Sequence, residues 1–143
     1  MLVSEVMNKR VRTCRKDDTV RQAAQEMNKW HIGSLIVVDG PGKVIGIITE
    51  RDILTEVVAK GLRSDDVDVK EIMTGDVIEV ESSATLEDAA EIMTLKKIKK
   101  LPVVRKGQLV GIVTATDLIM YEHSLIEKVS TLLQTGKKAA VCG

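Results

Sequence analysis

Phenylalanine is missing from this chain of 143 residues, and one Trp and one Tyr are its only aromatic side chains. Proteins that hold single-stranded nucleic acid stack bases on exposed rings, so that class loses its usual means. The core has to be filled by Val, Ile, Leu, Ala and Met. Surplus charge of either sign is also missing. The 21 Lys and Arg balance 21 Asp and Glu, and no bulk field draws the chain to nucleic acid or to a membrane surface. The two cysteines, Cys14 and Cys142, have no C-x-x-C spacing, and the two histidines, His31 and His123, complete no zinc pattern. No apolar run approaches the roughly 18–20 residues of a membrane span. The stretch Met1–Met7 lacks the basic-then-apolar layout of a signal peptide. A cytoplasmic protein with reduced thiols, free of membrane and metal, is expected. There is also no Walker Gly-x-x-x-x-Gly-Lys, no Gly-x-Gly-x-x-Gly, no ligand pair of histidines and no Ser-His-Asp order. A chain without these signatures is not expected to be an enzyme.

What is present is a repeat. With an offset of 66, Val3-Ser-Glu-Val-Met7 falls on Val69-Lys-Glu-Ile-Met73, Thr19 on Thr85, Ala23-Ala24 on Ala89-Ala90, and Met27 on Met93. Ile32, Leu35, Val37 and Val38 meet Ile98, Leu101, Val103 and Val104. One residue is lost in a turn, and at an offset of 65 Gly46, Thr49 and Asp52 then meet Gly111, Thr114 and Asp117. With 44% hydrophobic and 29% charged residues, the chain is globular and long enough to bury a core.

The order of elements within each copy follows from local pattern. Thr19-Val-Arg-Gln22 and Thr85-Leu-Glu-Asp88 have the form of capping boxes and open helices carrying Val20, Ala23 and Met27, and Leu86, Ala89 and Met93, on one face. Short buried strands follow at 35–38 and 101–104, then a turn (Gly40-Pro41-Gly42 in the first copy), then strands at 44–49 and 109–114. Gly61 stops the last helix of the first copy. The fold class is therefore α/β (α+β): two β-α-β-β-α repeats, at 1–61 and 69–134, packed about a pseudo-twofold axis. The linker is 62–68 and the flexible tail 135–143. The last helix is longer than its counterpart, with Leu118, Ile119, Leu125, Ile126, Val129, Leu132 and Leu133 at helical spacing. It either packs on its own domain or offers a self-association surface.

Two stretches carry candidate chemistry, Gly46-Ile-Ile-Thr-Glu-Arg-Asp52 and Gly111-Ile-Val-Thr-Ala-Thr-Asp117. Each runs from a strand into a helix start, where free N–H groups suit a phosphate and the Asp suits the hydroxyls of a ribose. The plainer reading of Thr-x-x-Asp is a helix cap.

These marks together resemble a tandem pair of cystathionine-β-synthase (CBS) domains over residues 1 to about 120. They are Val-x-x-Val/Ile-Met, Ala-Ala-x-x-Met, Leu-x-Val-Val and Gly-h-h-Thr-x-x-Asp (h apolar), each present twice in the same order. The resemblance implies a stand-alone, disk-like regulatory module. Such a module binds adenosine nucleotides (AMP, ADP or ATP) or an S-adenosylmethionine- or NAD-type ligand between its motifs, pairs as a homodimer and signals to an effector protein. It implies one cleft in which Thr114, Thr116 and Asp117 face Thr13 and Ile32-Gly33-Ser34. The pseudo-symmetric cleft would combine Thr49, Arg51 and Asp52 with Val77, Ile78 and Val80 and with Ile98, Lys99, Lys100, Leu101 and Pro102. Relatives of this kind place a basic residue before the Leu-Pro-Val-Val strand, where it reaches phosphate. Lys99 and Lys100 stand there in the second copy but Gly33 and Ser34 in the first, so the clefts are expected to be unequal. No acidic residue occurs from Ile92 to Thr116, while Lys96, Lys97, Lys99, Lys100, Arg105 and Lys106 do. Two or three such lysines, each in a charge-assisted hydrogen bond of about 1.5–3 kcal/mol, would favour ADP or ATP where Lys99 and Lys100 reach.

Other readings are plainer. Arg51 has Glu50 or Glu56 as an ion-pair partner, Lys96 and Lys97 suit a helix C-terminus, Trp30 and His31 read as packing, and Cys14 as inert. The alternative function is nucleic-acid binding through a basic patch at Lys96–Lys106. A third is an interaction scaffold with vestigial clefts.

Overall fold

The computed structural model describes residues 1–139, with side chains through 134. Its elements are α1 (Val3–Val6), β1 (Thr13–Cys14), α2 (Val20–Trp30), β2 (Ser34–Asp39), β3 (Lys43–Thr49), α3 (Glu50–Ile53), α4 (Val69–Ile72), β4 (Val80–Glu81), α5 (Leu86–Lys96), β5 (Lys100–Arg105), β6 (Gln108–Thr114) and α6 (Ala115–Ala139). A π-helical turn (Leu54–Val58) continues α3, and a single 3-10 turn (Ser64–Asp66) lies in the linker. Two three-stranded sheets, β1-β2-β3 and β4-β5-β6, carry the helices. This is the mixed α/β fold expected from the repeat.

Capping settles where the two long helices begin. Thr19 Oγ1 accepts from the Gln22 N–H at 3.1 Å while Gln22 Oε1 accepts from the Thr19 N–H at 2.8 Å, and Thr85 and Asp88 repeat the arrangement. Both helices end on a left-handed residue that is not glycine, His31 at φ 53° and Lys97 at φ 55°. The second strands then pair antiparallel through a register shift after Val37 and again after Val103, which sets Gly46 opposite Val37 and Gly111 opposite Val103.

Those two glycines are required by a crossing of chains, not by a turn. A Cβ on Gly46 would lie 2.6 Å from Met73 Sδ, and one on Gly111 would lie 2.5 Å from Met7 Sδ. The segment after α1 bridges Asn8 to Ile112 in β6, and the segment after α4 bridges Thr74 to Ile47 in β3. Each short helix therefore closes the other repeat. Val3 is buried with Val80, Leu86, Leu101 and Val113, while Val67 and Val69 are buried with Val20, Met27, Leu35 and Ile48. The packing units differ from the repeats as written, because residues 1–8 belong with the second sheet and the 67–74 stretch with the first.

The last helix starts on its own sheet, where Leu118 and Tyr121 pack against the second cluster. Beyond them Leu125, Ile126, Val129, Leu132 and Leu133 are exposed. The helix runs on to Ala139, through the first part of the stretch expected as a tail. Residues 140–143, Cys142 among them, lie outside the described residues. No helix among the described residues is long and apolar enough to cross a membrane.

Candidate functional site

A cavity of about 460 Å³ opens between the repeats. Ile47, Val77, Ile78, Ile98 and Pro102 give it apolar walls, and Ser34, Thr49, Thr74, Asp76, Lys97, Lys99 and Lys100 stand at its polar rim. The strand end of the first copy meets the helix end and strand start of the second. Thr49 sits opposite Ser34 in the sheet, as Thr114 sits opposite Lys100.

The two Thr-x-x-Asp stretches are helix caps in full. Asp52 Oδ2 accepts from the Thr49 N–H at 2.9 Å, and Thr49 Oγ1 accepts from the Asp52 N–H at 3.1 Å; Thr114 and Asp117 repeat both bonds at the same distances. The Glu50 N–H is taken by the Gly33 carbonyl at 2.9 Å and that of Ala115 by the Lys99 carbonyl at 2.8 Å. These helix starts thus offer a phosphate less than the sequence suggests, because two of the first N–H groups are already satisfied. What each Asp keeps is its second carboxylate oxygen, Oδ1, an acceptor suited to hydroxyls.

Most residues expected at the Thr49 side come together there: Val77, Ile78, Ile98, Lys99, Lys100 and Pro102 line the cavity with Thr49. Gly33 and Ser34, expected opposite Thr114, line this same cavity, and Lys100 Nζ donates to Ser34 Oγ at 3.0 Å. Asp52 stands one short turn behind Thr49, half-buried. Others fall elsewhere. Val80 and Leu101 point into the second core cluster. Thr13 lines a separate cavity beside the Gly40-Pro41-Gly42 hairpin, with Lys9 and Arg15. Ile32 lies against the first core and a cavity bounded by Met27, His31 and Glu50. Arg51 and Thr116 are exposed on their helices and line no cavity described above. Glu56 pairs with Lys60, and the Glu50 side chain lies against Gly33, so neither is held by Arg51.

Two further corrections concern charge and rings. The lysine-rich stretch is not one patch: Lys99 and Lys100 precede β5 and open it, whereas Arg105 and Lys106 lie at its far end, roughly 16 Å away at 3.3 Å per residue. Trp30 is not packed away but 39% exposed, with the Arg12 guanidinium over its ring. Ile47, Thr74 and Asp76 line the cavity without having been singled out in the sequence. Their signal was position, since Thr74 and Asp76 directly follow the repeated Met. Cys14 is buried, and burial together with the nearby Asp18 carboxylate pushes its thiol up to about 12, which keeps it an unreactive thiol at neutral pH. No group of His, Cys, Asp and Glu suited to a metal ion occurs among the described residues.

The family model for the CBS domain matches this chain twice, at residues 3–59 and 69–124. The chain is 38% identical over 125 residues to protein MK0525 of Methanopyrus kandleri, covering 87% of itself and 64% of that protein, so it spans just under two thirds of that relative. Among solved structures it resembles the CBS-domain protein ATU1752 from Agrobacterium tumefaciens, at 30% identity and a TM-score of 0.74 over 85% of this chain and 99% of that one. It also resembles the CBS domain pair of protein MJ0100 in complex with 5′-methylthioadenosine and S-adenosyl-L-methionine. That likeness has 30% identity and a TM-score of 0.75, and covers 87% of this chain and 97% of that chain.

Proposed function

The chain belongs to the CBS-domain family, and from that we propose that it is a regulatory module, not a catalyst, that binds an adenosine-containing ligand between its two repeats. The observation that carries this reading is the inter-repeat cavity, whose walls and rim divide one ligand's chemistry in two. The flat apolar walls of Ile47, Val77, Ile78, Ile98 and Pro102 suit a purine. At the rim Thr49, backed one short turn behind by the free oxygen of Asp52, suits ribose hydroxyls, and Lys97, Lys99 and Lys100 suit the negative charge of AMP, ADP or ATP. The MJ0100 pair, solved with two adenosyl ligands, supports the adenosyl part of the proposal.

Binding changes a partner only if the ligand prefers one of two conformations. The linker 62–68 and the projecting half of α6 are the candidate moving parts, with a second copy of the chain and an effector protein as the partners they address. Calorimetry on ligand-free protein with AMP, ADP, ATP, 5′-methylthioadenosine and S-adenosylmethionine tests the proposal. Saturable binding of at least one is expected, and heat of dilution alone for all five rejects it. Native mass spectrometry of the purified protein, looking for a co-purifying nucleoside, is the independent check.

A further inference from the structure

Every second residue on the way into β1 lines one cavity of about 310 Å³: Lys9, Val11, Thr13 and Arg15. Side chains of an extended chain alternate in this way, so the cavity runs along the segment as a trough. Its other sides are the hairpin Gly40-Pro41-Gly42 and the apolar surface of Val38, Leu109 and Val110. The Gly42 carbonyl accepts from the Leu109 N–H at 2.9 Å, which ties the hairpin of one sheet to a strand of the other. The Thr49 cleft lies elsewhere. Thr49 ends β3 and the hairpin precedes its first residue, Lys43, about 20 Å away at 3.3 Å per residue.

The lining holds two cations and no carboxylate. Arg15 is set in place without being neutralised. Its Nη1 donates to the Gly40 carbonyl at 2.9 Å, and its backbone N–H donates to Asp18 Oδ2 at 2.8 Å. The ion pairs among the described residues involve neither Arg15 nor Lys9. Asp39, the carboxylate next to the hairpin glycines, is the register partner of Lys43 and lies outside the lining. The fold does not demand these cations. At the offset of 66 the mates of Lys9, Thr13 and Arg15 are Gly75, Glu79 and Glu81, although β4 pairs with β5 as β1 pairs with β2. A guanidinium, an ammonium and a hydroxyl along an apolar trough are donors for an anion, and the guanidinium fork takes phosphate two oxygens at a time. Lys9 and Arg15 stand about 20 Å apart at full extension of the chain, a span that favours two anionic groups over one.

We propose that this trough binds a small phosphate ester with two phosphate groups, one on Arg15 and one on Lys9, its carbon skeleton lying against Val11 and Leu109. The site occurs once per chain, because the second copy carries the opposite charge at the same positions. It is independent of the adenosyl reading, which stands or falls by the other cleft.

Fructose 1,6-bisphosphate is the probe and fructose 6-phosphate the one-phosphate comparison, titrated into the full chain by calorimetry and by nuclear magnetic resonance of isotope-labelled protein. The bisphosphate should bind once per chain, at least tenfold more tightly than the monophosphate, and should shift the Gly40 and Gly42 amide signals. In Lys9→Gln/Arg15→Gln its affinity falls tenfold or more. In Lys99→Gln/Lys100→Gln, which removes cations of the Thr49 cleft, it stays within twofold. All four side chains are exposed, and circular dichroism melts check that each variant keeps its fold. Absence of saturation at millimolar bisphosphate overturns the proposal, as does equal affinity for the two probes. Loss of binding in the Lys99/Lys100 variant instead of the Lys9/Arg15 variant overturns it by placing the phosphates in the cleft. A single-stranded oligonucleotide that shifts the Gly40 and Gly42 signals at lower concentration than the bisphosphate overturns it in favour of nucleic acid.

Discussion

Asp52, Asp117 and Asp88 each sit three residues after a Thr, and each accepts the backbone N–H of that Thr. Only the surroundings separate them: Thr49 lines a cavity, whereas Asp88 is solvent-exposed on α5. A helix cap and a ligand contact are therefore distinguishable by comparison. Asp88→Ala and Asp52→Ala should each lower stability by about 1 kcal/mol in chemical denaturation. Calorimetry should then show weaker adenosyl binding for Asp52→Ala only, and parallel behaviour of the pair would reduce the Thr-x-x-Asp stretch to a cap. Cys14 gives a second test at this scale. Its folded-state thiol is raised from 9.0 to about 12 by burial and then by Asp18. The fold therefore favours the neutral form, and the associated stability is complete below about pH 9 and is lost as pH rises from 9 towards 12. Relative to Cys14→Val, which cannot titrate, the wild-type melting temperature should fall progressively across that window and stay parallel below it. At this scale the sequence was most legible where a residue acts on its own neighbours, as in the four caps. It was least legible where a residue answers to the far half of the chain. Gly46 reads locally as one residue of a strand leading to a helix start and is also the floor on which Met73 lies.

Among the elements, α2, α5 and both hairpins could be placed from the sequence to within a residue or two, because their apolar period and capping signals are local. The same locality misplaced the lysines. Residues adjacent in sequence across β5 are separated by the full length of an extended strand, so a run of positive charge became two separate ends. The last helix is the element whose role depends on something outside the fold. Ile126 is 56% and Leu133 64% exposed, on a face with Leu125, Val129 and Leu132. A pairing with a second copy would cover this apolar face. Analytical ultracentrifugation should find a dimer at micromolar concentration, and Ile126→Glu/Leu133→Glu should return it to monomer with its melting curve little changed. A monomer before substitution would leave the face to a different protein.

At the scale of the whole molecule, the repeat announces two similar units, but it cannot announce that they trade their first elements. The exchanged pieces are alike, Val3-Ser-Glu-Val-Met7 and Val69-Lys-Glu-Ile-Met73, so pattern alone fits either one against either sheet. What decides is chain path, since the bonds from the Val3 N–H to the Ala84 carbonyl and from the Val69 N–H to the Asp18 carbonyl, both 2.8 Å, fix each piece in place. The site inherits this crossing, because Thr74, Asp76 and Val77 reach the Thr49 cleft only as the continuation of the strap laid across β3. Exchange also couples the stabilities of the halves, for neither core is closed without residues from the other end of its repeat. Val3→Ala removes two buried methyl groups from the second cluster, and about 2–3 kcal/mol of stability should go with them. Trp30 lies wholly in the first half, so its fluorescence reports a unit that the substitution does not touch. In a coupled molecule the Trp30 transition and the far-ultraviolet circular dichroism transition in urea shift together by the same amount. A Trp30 midpoint that stays at its wild-type value while the dichroism transition splits in two would mean that the crossed straps join the halves without making them fold as one.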